Sequence, residues 1–576
     1  MTAPASSPDS SSDRHSRSSV GPLAAALNPS EFSPVGKSDS TDDWFAVQPS
    51  GVSPEIAAVF SRSLAVLSRR RTAGDLHDDR QKVTRETLDE LATVGYWGLR
   101  VPRSHGGSET PLSDFYPFLT RVATVSATVA GLASVHGCIG AAGAVSTFGD
   151  SSQRDRWLGP LARGERYTAF ALTEPQAGTD LTAIATRAER HGDELRISGE
   201  KMFISNLAPG RLTVLICQLE GQLEAVVVEL PEQETPEFQL QDYGIYALRR
   251  SLNRGMRLRG LTVPAANVLR PARGNGLTVA YHGLNRGRVA VCAVAAGQMR
   301  VMLASLLQWV RERSTYGAPL ASRELVRRRL ARLAGLAFAA EALAVWCGSL
   351  LDAGARGEAE CTVAKVFGSE ALKEAAIELM MKTHGGRSFL HGHLWGDNLY
   401  DYLTPCVYEG EGEILSLALF RTLAKSLSQE FRAEEIGADA SGTKAASTRA
   451  ARTKEASSEG ARETEFAPFQ QFASEQFVQL SQEFRAALVA HGSSISDRQC
   501  LMVELSQRVQ KAAVLSVVAA AGARESGPCR RLAAQQIAAD LERDLNGRRP
   551  SALDFSRVDR LGAWLLDGGD AEWSLE

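Results

Sequence analysis

Apolar residues change their period twice along this chain. From about residue 52 to 165 they recur mostly at i, i+3 and i+4, as in Ile56, Val59, Phe60, Leu64 and Leu67, then Leu88, Leu91, Ala92 and Val94. That spacing stacks them on one helical face and predicts a helical unit. The Ala/Gly/Val-rich run 122–147 predicts a buried helix pair with close backbone approach. Between 168 and 275 the segments shorten. Stretches at 195–199, 212–217 and 225–230 are bounded by Gly, Pro and Asp and predict strands of an all-β unit. From 279 to 427 the helical period returns, notably over 288–313 and 323–352.

Two regions lack such patterning. Residues 1–50 are Ser-rich and acidic without an apolar core, and predict a disordered tail. Residues 434–465 are mostly Ala, Ser, Thr, Lys, Arg, Glu and Gly, and predict a flexible linker. Beyond it, Phe466, Phe469, Phe472, Phe477, Leu480, Phe484 and Leu488 restart an amphipathic pattern. Two more helices are predicted around 499–523 and 528–545, closing an appended helical region at 466–546.

With 576 residues the chain predicts several domains. Its formal net charge of −3 gives no ground for nucleic-acid binding. The eight cysteines are scattered without a C-x-x-C pair, which reads as buried free thiols in a reducing cytoplasm. No uninterrupted apolar run reaches the ~18–20 residues of a membrane span, so no transmembrane segment is expected.

Three short blocks carry the candidate chemistry. Residues 171–180 read A-L-T-E-P-Q-A-G-T-D, residues 199–206 read G-E-K-M-F-I-S-N, and residues 408–414 read Y-E-G-E-G-E-I. In this order they resemble the T-E-P-x-A-G-S-D, G-x-K-x-W-I-T-N and Y-E-G-T-x-x-I segments of the acyl-CoA dehydrogenase family. The resemblance covers about 52–427. It implies an α+β multidomain fold: an N-terminal helical domain (52–165), a central β-barrel (168–275) and a C-terminal four-helix bundle (279–427). It also implies an FAD cofactor and an acyl thioester substrate.

The implied reaction removes a proton from Cα and a hydride from Cβ, the hydride going to the flavin N5. Glu409 stands at the position of the base. A carboxylate suits that task when a dry pocket raises its proton affinity. Some relatives place the base just before a helix arginine; here that residue is Gly287, before Arg288, and it cannot act. The alternative is that Glu409 merely caps or pairs with Arg288. By the same resemblance Phe170, Leu172, Thr173, Gly178, Thr179, Phe203, Ser205 and Glu411 contact FAD. Thr179, Arg288 and Tyr408 contact substrate. The segment from Arg313 to Leu320 resembles R-x-x-F-G-x-P-L, which implies that Arg313 and Tyr316 reach the FAD of a neighbouring subunit. Gly385 and Gly386 match a pair that approaches the dinucleotide.

Departures are Phe203 for tryptophan, Glu324 and Lys382 for glutamines, Ser388 for glycine and Glu411 for threonine. His391 and His393 lie two apart, but no third ligand is evident and no metal is expected. The tract Arg327-Arg328-Arg329 reads as a solvated or subunit-facing helix surface. The expected partners are acyl-CoA or an acyl-carrier-protein thioester, an electron-transfer flavoprotein and a second copy of the chain in a homodimer. The alternatives are a flavin-dependent oxidase or monooxygenase and a low-turnover flavin-binding scaffold.

Overall fold

The computed structural model describes residues 22–23, 27, 51–438 and 458–573. Helices α1 (Pro54–Ala73), α2 (Arg85–Thr93), α3 (Leu112–Ser134), α4 (Ala141–Phe148) and α5 (Ser151–Ala162) come first. Their starts follow capping chemistry: the Ser53 hydroxyl accepts Ile56 N–H, and Asp150 forms a capping box with Gln153. The Ala/Gly-rich run forms the expected helix pair, joined by a π turn at Val135–Ile139.

Eight strands follow: β1 (Thr168–Ala171), β2 (Arg187–His191), β3 (Glu194–Ser205), β4 (Leu212–Leu219), β5 (Gln222–Glu229), β6 (Phe238–Asp242), β7 (Asn253–Pro264) and β8 (Val268–Leu269). They pair in the order β6-β7-β3-β2-β4-β5-β8, with β1 parallel to β4. Both faces of β4 are buried. Val214 and Ile216 pack toward α4, α5 and the start of the next helix, while Leu215 and Cys217 join a core that the strands surround. Two covered faces explain why this strand reads as an uninterrupted apolar run.

The bundle consists of α6 (Gly276–Glu312), α7 (Glu324–Asp352), α8 (Glu358–Glu374) and, after the short α9 (Leu394–Leu403), α10 (Gly412–Ala438). Appended to it are α11 (Ser458–His491), α12 (Gln499–Arg524), α13 (Pro528–Leu545) and α14 (Ala552–Leu566). One hydrophobic core joins the first helices, the bundle and the appended helices. Helix α12 packs on α7 and α10, while α13 and α14 pack on α7.

Ion pairs frame this contact. Arg530 pairs with Glu341 at 2.8 Å, Arg332 bridges Glu374 and Asp540, Arg327 meets Asp559, and Arg311 meets Asp570.

Several expectations need correction. The tail of 1–50 lies outside the described residues except at Pro22, Leu23 and Leu27. There Leu23 and Leu27, one helical turn apart, are fully buried, and Leu23 N–H donates to buried Glu360 at 3.0 Å. The linker is narrower than 434–465: helix runs to Ala438 and resumes at Ser458, and 439–457 lie outside the described residues. The appended region passes 546, because a Ser551 capping box starts α14 and a last turn buries Trp573. Cys500 is exposed. Arg327 is engaged by α14 rather than solvated.

Among the described residues, three stretches are long and apolar enough to cross a membrane by length and composition: Leu112–Phe148, Gly276–Glu312 and Glu324–Asp352. Scattered polar residues break each of them, so none is an uninterrupted apolar run, and their apolar character lies in the average composition. Of their most apolar windows, 72, 67 and 78% is buried inside the protein. An all-round apolar helix is what the centre of a large core requires.

Phe466, Phe477, Leu480 and Phe484 are fully buried, and Phe484 stacks on Phe420 of α10 with centroids 4.7 Å apart. Phe484→Ala is therefore expected to destabilise the protein by about 3–5 kcal/mol. Exposed Val489→Ala should change little, and thermal denaturation of the two variants beside the parent checks the difference.

Candidate active site

A cavity of about 1140 Å³ opens between the sheet, α3, α6, α8 and α10. It gathers Phe170, Leu172, Thr173, Gly178, Thr179, Phe203, Ser205, Arg288, Tyr408, Glu409 and Glu411 from segments far apart in sequence. Arg313, Tyr316, Gly385 and Gly386 do not line it. Arg313 ends α6, and Tyr316 tips a two-residue-strand hairpin (β9, Ser314–Thr315; β10, Ala318–Pro319) at 99% exposure. Gly385 needs its glycine for a φ of 67°, and a Cβ there or on Gly386 would meet nothing within 4 Å.

The first two sequence blocks meet through a buried ion pair. Lys201 Nζ, on β3, donates to Glu174 Oε1 and to Leu172 O, each at 2.8 Å, and both side chains are sealed from solvent. Glu174 also accepts Ala185 N–H at 2.7 Å and Thr186 N–H at 3.0 Å. Burial opposes its charge, yet Lys201 and these donors hold it below the ordinary carboxylate range. Met202 N–H then donates to Thr173 O at 3.0 Å, fixing the strand against the loop.

Just past that bond the β3–β7 register shifts, and Phe203 takes a φ of 56°. A bulge there turns the phenyl out of the ladder, leaving it 52% exposed on the cavity wall. Asn253 Nδ2 donates to Ser205 Oγ at 3.2 Å, while Asn253 Oδ1 is buried without a partner. An exposed aromatic face, two hydroxyls and an unsatisfied amide oxygen fit the flat, polar-edged ring of a flavin. Glu411 lines the cavity, and its carboxylate also caps α10, accepting Glu413 N–H at 2.9 Å and Ile414 N–H at 3.0 Å.

Glu409 sits in a left-handed turn with φ 58°, followed by Gly410 at 108°. Its Oε2 is closed off from solvent and has no hydrogen-bond partner among the described residues. Arg288 Nε donates to the Glu409 backbone oxygen at 3.1 Å, and Arg288 Nη1 to Asn285 Oδ1 at 2.9 Å. The arginine thus holds the turn rather than neutralising the carboxylate. Burial pushes the Glu409 carboxyl up to about 7, against the pull of Arg288 and Lys365. A Cβ built on Gly287 would lie 2.9 Å from Glu409 Oε2. The two chain positions from which a base could act therefore converge on one point in space, and only Glu409 fills it.

His393 is used structurally: its Nδ1 accepts Trp395 N–H at 3.1 Å and caps α9. Sequence reasoning gave no role to the Glu174–Lys201 pair, although both residues stand in the motifs. It also passed over Lys365, whose signal was a lysine on the buried face of an apolar helix.

Residues 68–165, 169–253 and 274–427 match the N-terminal, middle and C-terminal domains described for acyl-CoA dehydrogenase. The chain belongs to the acyl-CoA dehydrogenase family. It is an FAD-dependent oxidoreductase. It is 27% identical to an acyl-CoA dehydrogenase of Bacillus subtilis, over 59% of this chain and 89% of that one. It is 28% identical to the very long-chain specific acyl-CoA dehydrogenase of Bos taurus, over 59% of this chain but only 53% of that protein. The match thus spans about half the length of that mammalian relative. An acyl-CoA dehydrogenase from Bacillus anthracis complexed with FAD shares the fold with a TM-score of 0.75 at 18% identity, over 95% of this chain and 98% of that one. That overlap extends over the appended helices as well as the family domains.

Lys201→Met leaves Glu174 buried without its cation, a loss worth about 3–5 kcal/mol. The variant is expected to melt earlier and to carry less FAD, read from its flavin absorbance per protein. Parent-like melting with full flavin would show that the pair is dispensable.

Proposed function

We propose that the protein oxidises a saturated acyl-CoA across Cα–Cβ to the 2,3-enoyl-CoA, with Glu409 as the base that takes the α-proton. The observation that carries this reading is the unpaired Glu409 carboxylate on the cavity wall, with its Oε2 closed off from solvent. A carboxylate with no partner and a raised proton affinity is suited to accept a proton from a weak carbon acid. When bound, FAD supplies the two-electron acceptor for the hydride lost from Cβ. Thr173, Phe203 and Ser205 would hold its ring, and the apolar walls of α3 and α6 keep water from the carboxylate.

The cavity also supports a long acyl tail. Helix α3 with the π turn that ends it runs antiparallel to α6, with Ile139 beside Gly287 and Thr120 beside Gly297. The cavity follows them from Glu409 to Gln298, which lies roughly 16 Å beyond Gly287 at the helical rise. Its wall there is built of small residues, Ala127, Thr128 and Gly131, and a Cβ on Gly131 would meet open space. A homodimer fits the placement of Arg313 and Tyr316: lying outside this cavity, they are free to meet the FAD of a second copy. Reoxidation by an electron-transfer flavoprotein and a cytoplasmic location, consistent with six buried free thiols, complete the proposal.

Glu409→Gln is expected to keep FAD and acyl-CoA binding while turnover falls by about 10²–10⁴. In the parent, activity should be present above about pH 7 and lost as the pH falls through it, because protonation occupies the base. Steady-state rates across pH, with the flavin spectrum as a loading control, check both. Parent-like turnover in the glutamine variant would remove Glu409 from the reaction.

Gly131→Phe should fill the tail channel. It is expected to lower kcat/KM for long-chain acyl-CoA at least tenfold while sparing short-chain substrates. A parent-like chain-length profile would place the tail elsewhere.

A further inference from the structure

Lys365 is fully buried on α8, and no carboxylate lies within ion-pair distance of it among the described residues. Its Nζ donates instead to two backbone oxygens, Gly410 O and, at 3.4 Å, Cys406 O. These carbonyls bracket Tyr408 and Glu409. On the other side of the same turn Arg288 Nε holds Glu409 O at 3.1 Å. Two buried cations therefore grip three carbonyls, those of Cys406, Glu409 and Gly410, around the left-handed turn at Glu409 and Gly410, and neither binds the carboxylate that the turn displays.

We propose that Lys365 is a positioning residue for the reaction: it clamps the backbone from Cys406 to Gly410 and so keeps the Glu409 carboxylate aimed at the Gly287 gap. The inference rests on Glu409 being the base. A positive φ at a glutamate is costly and persists only where the surroundings enforce it. A buried ammonium bound to carbonyls enforces it without supplying the direct ion pair that would occupy the base. Around Lys365 stand Glu409, Cys406, Arg288 and Glu411; around Glu409 stand Arg288, Lys365, Tyr408 and Cys138. Burial brings the Lys365 ammonium down to about 8, with Glu409 pulling it back up, so it discharges on the alkaline side of neutrality.

The test compares FAD-loaded Lys365→Met and Lys365→Arg with the parent, using an acyl-CoA substrate and an artificial electron acceptor across pH. In Lys365→Met, losing the cation lets the Glu409 proton affinity rise. Its acid limb is expected to move up by about one pH unit, with kcat at pH 7 down at least tenfold and KM nearly unchanged. Lys365→Arg, which keeps the charge, should keep the parent's acid limb. The parent itself should lose kcat/KM above about pH 8 as the ammonium discharges.

A loaded methionine variant with the parent's limb and kcat would overturn the proposal. So would an arginine variant with a displaced limb. If the methionine variant fails to fold, a parent profile flat into strong alkali overturns it independently. Full turnover in Glu409→Gln would refute the base assignment and this inference together. An inactive glutamine variant beside an unperturbed Lys365→Met refutes this inference alone.

Discussion

The cavity depends first on the contact between Glu174 and Lys201. A carboxylate and an ammonium sealed from water are each unfavourable alone, and only their mutual contact with three backbone partners makes the burial tolerable. That requirement joins the loop after β1 to the middle of β3. From the joint follow the Met202–Thr173 bond, the bulge at Phe203 and the direction in which its ring faces. The ion pair lies behind the chemistry, and it steadies the loop and the end of β3 that present Thr173 and Phe203 to the cavity.

Opposite the sheet, the helical side solves a different electrostatic problem. A base near neutrality must stay desolvated without being paired. Arg288 and Lys365 supply positive charge close by but spend their hydrogen bonds on carbonyls and an amide. The carboxylate feels both charges at a distance, which limits how far burial raises it. Gly287 completes the arrangement by leaving out a side chain where the carboxylate needs room.

Much of this was legible in the sequence because it is local. The 3.6 and 2.0 periods marked helices and strands, and the motif order placed Thr173, Phe203, Ser205 and Glu409 on one cavity. What was not legible depends on long-range partners. Glu174 and Lys201 stand 27 residues apart with nothing in either segment to announce the other. The second task of Glu411 was hidden too: the start of α10 leaves backbone N–H groups open, and the carboxylate takes two of them. Leu23 and Leu27 were hidden in a polar tail because two leucines are too few to establish a period. The linker was drawn too wide because small polar residues also propagate a helix already begun on either side.

The docking of the appended helices bears on synthesis. Arg530 finds Glu341 across 189 residues, and Asp540 finds Arg332 across 208. At about 5–20 residues per second, the ribosome makes α13 on the order of 10–40 s after α7. Through that interval the face of α7 that will meet α12, α13 and α14 has no permanent cover. The family domains can therefore close around their cavity while one bundle face is still bare. During translation that apolar face stays open to water or to other chains, and it disappears only when α12, α13 and α14 emerge.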